Sequence, residues 1–280
     1  MMKRWGMIAL ACAAGGISGA LAIQWMRAPA PKPPDADLFE QGTAAVFAGD
    51  YSRAVEVFEA IEKGHPASER IDSALFWRAF SLRALGRAQE AQALYERIAR
   101  DYPRSARAPE AELAAAEILE RDLKKPAAAL ERYGEIAKNH PEVDYKAMAN
   151  SARIQEEQKQ IDEACKGYGD AWNQATNARN LPPSNYVASR ARGRGDFLKA
   201  NSDFEGKPLE LYLAAEAMVR EGKPLEAAGK LQELIAAYPT SSLIDEALSL
   251  QGKLFQELGM IREAQSAQEK LQELNKAAGK

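Results

Sequence analysis

The side chains that most often carry chemistry are scarce in this chain. There are two histidines, His65 and His140, each directly before a proline. They lie 75 residues apart, with no second ligand at metal-binding spacing near either. The two cysteines, Cys12 and Cys165, form no CxxC pair. Gly193-Arg194-Gly195 and Gly167-Tyr168-Gly169 each lack the third glycine and the preceding strand of a dinucleotide loop. No GxSxG, HExxH or phosphate-loop pattern is present. The carboxylates, Glu226, Glu246 and Glu263 among them, sit beside Lys and Arg in helix-forming runs and read as solvated faces. Cys165 follows Ala164 at an expected helix contact, where a buried, unreactive thiol fits. Neither an enzyme nor a cofactor or metal protein is expected.

Charge points away from nucleic acid. Residues 1–34 hold Lys3, Arg4, Arg27 and Lys32 and no acidic residue, which leaves the remainder at a net of −7. Arg190, Arg192 and Arg194 are the nearest approach to a basic patch, and no stacking aromatics are interleaved with them.

What remains is the scaffold that would position any site. Ala, Leu, Glu, Lys, Arg and Gln dominate, so the chain should be all-helical. Its helices repeat. Gly42, Gly49, Ala54, Phe58, Ile61 and Pro66 stand at places 8, 15, 20, 24, 27 and 32 of a 34-residue unit. Ala79, Gly86, Ala91, Tyr95, Ile98 and Pro103 take the same places in a second unit. Ala129, Tyr133, Ile136 and Pro141 mark a third, with Lys124-Lys125-Pro126 where the turn glycine belongs. Ala152, Ala164, Tyr168 and Ala171 mark a fourth. Ala215, Gly222, Ala227, Leu231, Leu234 and Pro239 restore the pattern, and Gly252, Gly259, Ala264 and Leu271 close it. Each residue type has a reason. Small residues let two helices approach, glycine at place 15 leaves the first helix in a left-handed conformation, and proline ends the second.

This pattern resembles the tetratricopeptide repeat family. Tyr102-Pro103-Arg104-Ser105 and Tyr238-Pro239-Thr240-Ser241 end two units in a way similar to bacterial envelope proteins of that family, of the outer-membrane-assembly and Tol-Pal-coordinator types. The serines are placed to cap the next helix. The resemblance implies a solenoid of about six helix–turn–helix units that binds partner proteins or peptides along its concave face. The family's groove places fall on Phe39 and Phe47, on Phe76, Phe80 and Arg83, on Ile118 and Arg121, on Arg153, and on Tyr212. The stripe is apolar at one end and charged at the other.

The amino terminus speaks to location. Lys3-Arg4 precedes an uncharged run from Trp5 to Met26, about 33 Å long as a helix, with tryptophans at both ends. The basic pair predicts a segment that crosses the bacterial inner membrane with the rest of the chain in the periplasm. Three fates stay open: a retained anchor, a signal peptide cut after Ala20-Leu21-Ala22, or a lipid on Cys12. The expected organisation is therefore a leader over 1–27, a proline-rich linker over 28–34, and repeats one to four over 35–180. An irregular connection with a possible extra helix follows over 181–207, its glycines Gly193 and Gly195 interrupting it, and repeats five and six occupy 208–280.

Overall fold

A computed structural model describes residues 33–178, 181, 182 and 185–277. The leader and most of the proline-rich linker lie outside the described residues, as does Cys12. No described helix is long and apolar enough to cross a membrane. The described residues form α-helices, short 3-10 and π turns and connecting loops, with no strand among them. They divide into two compact units, the boundary in the sequence falling between Arg87 and Ala88.

The first unit holds α1 (Ala36–Phe47), α2 (Tyr51–Gly64) and α3 (Ile71–Ala84). Helix α2 packs on both neighbours. Its core is Val46, Ala54, Phe58, Ile61 and Ala74. A β-carbon on Gly42 would lie 2.7 Å from the ring of Phe58, which is itself buried, so only glycine lets α1 and α2 meet there.

The second unit holds α4 (Ala88–Asp101), α5 (Ala108–Glu117), α6 (Pro126–Asn139), α7 (Asp144–Glu157) and α8 (Ile161–Asn173). It continues with α9 (Tyr186–Ala200), α10 (Lys207–Arg220), α11 (Pro224–Ala237), α12 (Ile244–Glu257) and α13 (Ile261–Ala277). From α4 to α9, and again from α10 to α13, each helix packs on the one before and the one after it. One apolar core runs from Ala152 on α7 to Ala267 on α13.

The place-20 alanines explain why the helices stack. Ala54, Ala91, Ala129, Ala164 and Ala227 are fully buried, and Ala264 nearly so. The place-15 turn has one backbone conformation in all six repeats. Gly49, Gly86, Gly222 and Gly259 have φ between 71° and 78°, and Lys124 and Lys159 adopt 55° and 62° at the same place. The two lysines therefore hold a left-handed turn that a side chain makes costly.

Three local expectations need correction. The first helix of the third repeat is one residue out of the expected register. A π-helical turn over Ile118–Asp122 absorbs one residue, so Ala116 is the small contact residue and Ile118 faces inward. Helix α9 runs unbroken through Gly193 and Gly195; a β-carbon at Gly195 would sit 3.2 Å from Cβ of Tyr168, so glycine there lets α9 approach α8 closely. The serines of the repeat endings are not the capping residues. Ser68, Ser105 and Ser241 accept the backbone N–H two residues on, closing a turn ahead of the helix. Ser68 also donates to Asp35 at 2.6 Å, a bond that holds the Asp35 carboxyl below its usual range.

Candidate functional site

Two sets of side chains stand out, one in each unit. In the first unit, aromatic rings from three helices form a connected cluster. Phe47 at the end of α1 lies 6.4 Å from Trp77 on α3. Trp77 meets Phe76 at 6.2 Å and Phe80 at 5.7 Å, both edge-on. Tyr51, the first residue of α2, meets Phe80 at 6.1 Å. Edge-to-face rings attract through their quadrupoles, so the cluster holds its shape without being buried. Phe47 is 83% exposed and Phe80 39%. Tyr51, Phe76 and Trp77 are half-buried. Exposed aromatic side chains joined in one patch are a candidate contact surface for another apolar group. Phe39 is not part of it: its ring packs edge-on against buried Phe58 at 5.8 Å, with Arg70 above it at 5.9 Å.

In the second unit the charged groove residues Arg153, Glu156 and Glu216 are already paired within the protein. The phenol of Tyr133 on α6 donates to Glu120 at 2.9 Å, and Arg153 on α7 also binds Glu120. One repeat later, the phenol of Tyr168 on α8 donates to Glu156 at 2.9 Å, and Arg194 on α9 binds Glu156 through Nε at 3.1 Å. The same triad of acid, phenol and guanidinium recurs. Arg153 reaches on to Glu157 at 3.2 Å, and Arg194 to Glu216 on α10 at 2.6 Å. Glu120 and Glu156 are buried. A buried carboxylate needs such partners, because desolvation without them costs several kcal/mol. Burial first, and the adjacent glutamates second, push the phenols of Tyr133 and Tyr168 well above their ordinary range. Burial and Glu216 push Tyr212 up to about 12.

The expected groove residues thus separate. Phe47, Phe76 and Phe80 join one surface, and Arg83 is half-buried on the same helix as the last two. Arg121 is exposed in the π turn. Arg153 is committed to Glu120 and Glu157. Ile118 and Tyr212 are buried and cannot face a partner in this conformation. The register slip turns Ile118 into the core, and Tyr212 packs on Phe197 of α9 at 5.6 Å. Sequence reasoning missed Tyr51 and Trp77. Trp77 lies between two residues already singled out, and Tyr51 follows the place-15 turn, so both were within reach of the pattern.

The histidines close turns rather than build a site. His65 and His140 cap the ends of α2 and α6, their N–H groups donating to Ile61 and Ile136. Among the described residues no cluster of three or more His, Cys, Asp or Glu could hold a metal ion.

Comparison with known proteins agrees with the repeat. The tetratricopeptide repeat family model matches residues 73–105 and 211–241. Those two stretches carry tetratricopeptide repeats. It is similar to a solved tetratricopeptide repeat protein from Parabacteroides merdae, at 16% identity and TM-score 0.49, over 85% of this chain and 92% of that one. It is similar to PilW, described as a widely conserved type IV pilus biogenesis factor, at 16% identity and TM-score 0.45, over 86% and 93%. Pseudomonas aeruginosa pilF follows at 14% identity and TM-score 0.42, over 86% and 91%. No curated protein matches the sequence.

Proposed function

We propose that this chain is a non-catalytic scaffold of the bacterial envelope that captures a partner protein or peptide on the aromatic face of α1–α3. The observation that carries the reading is Phe47. A phenylalanine left 83% exposed beside Trp77 and Phe80 contributes little to folding and has area to give to a complex. The charged triads of the second unit support the same assignment by elimination, since their groups already satisfy one another. The uncharged run from Trp5 to Met26 after Lys3-Arg4 supports attachment to the inner membrane with the repeats in the periplasm. A narrower form of the reading, a subunit of an envelope assembly machine, rests on the Tyr102-Pro103 and Tyr238-Pro239 endings.

The test is co-purification of the full chain from membranes, native against Phe76→Asp/Phe80→Asp, with circular dichroism to establish that the helices remain. The partner should be lost from the variant. Equal recovery with an intact fold contradicts the aromatic assignment. A reporter fused after Lys280 that is active only in the cytosol contradicts the periplasmic one.

A further inference from the structure

The position of Arg194 shows what α9 is. Arg153 and Arg194 do the same thing one repeat apart: each comes from the next helix onto a glutamate already held by a tyrosine. Helix α9 therefore stands as the first helix of a repeat, and it packs on α8 and α7 as such a helix should. Its second helix is missing. The chain instead passes through Asn201–Gly206 directly into α10, which pairs with α11.

The consequence falls on one joint. From α4 to α9 and from α10 to α13, consecutive helices are in broad contact along their lengths. Helices α9 and α10 lack that lengthwise contact; Arg194 to Glu216, Phe197 to Tyr212 and the buried apolar cluster that includes Leu198 and Leu209 join them. The connecting turn is strained, with three successive left-handed residues, Phe204 at φ 48°, Glu205 at 57° and Gly206 at 74°. Two of them carry side chains, for which this region is unfavourable. The turn is pinned from outside. Asp203 accepts from Ser242 N–H at 2.8 Å and from the Ser241 hydroxyl at 3.2 Å, and the Phe204 ring lies 5.7 Å from Tyr238.

We propose that the α9–α10 joint is a latched hinge: α10–α13 swing against α5–α9 about Asn201–Gly206, and Arg194, bridging Glu156 and Glu216, is the latch. The strained turn is held by external bonds and no helix fills the joint, so the bonds of Arg194 are what motion there must break together with the contacts of the shared apolar cluster. The latch is ionic and only partly buried, so salt loosens it. Opening changes the curvature of the helical stack without unfolding any helix.

The experiment uses spin labels on the full chain at Glu163→Cys on α8 and Glu226→Cys on α11, with Cys12 and Cys165 replaced, and pulsed electron resonance to read distances. The native chain at low salt should give one narrow distance. Arg194→Gln should add a second, separate distance that becomes the larger population, and high salt should move the native chain the same way to a lesser degree. Arg153→Gln, whose joint keeps its second helix, should leave the native distance alone. Retention of the single native distance by Arg194→Gln, with helicity unchanged, overturns the hinge. If that variant loses helicity, Glu216→Gln is decisive, because it opens the latch while Arg194 keeps Glu156. A single native distance there overturns the hinge, and so does loss of helicity in both variants, since a latch leaves the helices folded.

Discussion

Helices α1–α3 and helices α5–α10 put chemically opposite residues at the same places of one repeat. In the first group the place-13 residue Phe47 and the place-9 residue Phe80 keep exposed rings that meet Trp77 and Tyr51. In the second, Arg153, Glu156 and Glu216 at equivalent places are bound to one another or to Glu120, Tyr168 and Arg194. Groove position alone therefore does not make a residue available. A ring cluster holds its shape and stays accessible, whereas a buried carboxylate must be answered from within the protein. The rings of Phe47 and Phe80 stay exposed, whereas Arg153, Glu156 and Arg194 hold their own repeats together.

The contrast can be broken most forcefully at Arg153. Arg153→Ala strips buried Glu120 of its cation and should cost about 2–4 kcal/mol in urea unfolding, with much of the loss restored by adding Glu120→Gln. Full stability in the single variant would show that the triads are not structural. Gly42→Val tests the scaffold beneath the aromatic cluster: its side chain would drive into Phe58 and should cost about 1–3 kcal/mol by the same assay. Lys159→Gly should do the opposite. It relieves a left-handed residue and should raise stability by about 1 kcal/mol, while Gly222→Lys should lower it by a similar amount.

Alkali sharpens the comparison from the charged side. The phenols of Tyr133, Tyr168 and Tyr212 titrate higher in the folded chain than in the unfolded one. Their contribution is fully present below about pH 10 and falls as the pH rises toward 12, because the unfolded chain releases its protons first. The urea midpoint should drop across that window, and Tyr212→Phe should flatten the drop. The smallest effect is expected at Phe47. Phe47→Ser should change stability by less than about 0.5 kcal/mol, since the ring buries little.

The fold was largely readable because its signals are local. Ala54, Ala91, Ala129, Ala164 and Ala227 mark helix contacts by spacing alone, and all are fully buried. The turn at Lys124 and Lys159 escaped the glycine rule because packing on both sides imposes a conformation that the residue itself disfavours. The π turn at Ile118–Asp122 moved a groove residue into the core, since one extra residue in a helix is invisible to a fixed repeat length. Groove availability was the least readable property. Whether Arg153 or Tyr212 faces solvent depends on Glu120 and Phe197, which lie in other helices.

Binding of a partner on the aromatic surface of α1–α3 is what we propose for this chain. A photoreactive phenylalanine analogue at position 47, introduced into the full chain and irradiated in intact cells, tests it most directly. A discrete crosslinked protein that disappears when Phe80→Asp is added is the predicted result. No product from position 47, together with a discrete product from the same analogue at Arg190 on α9, would contradict the account and move the contact to the charged end.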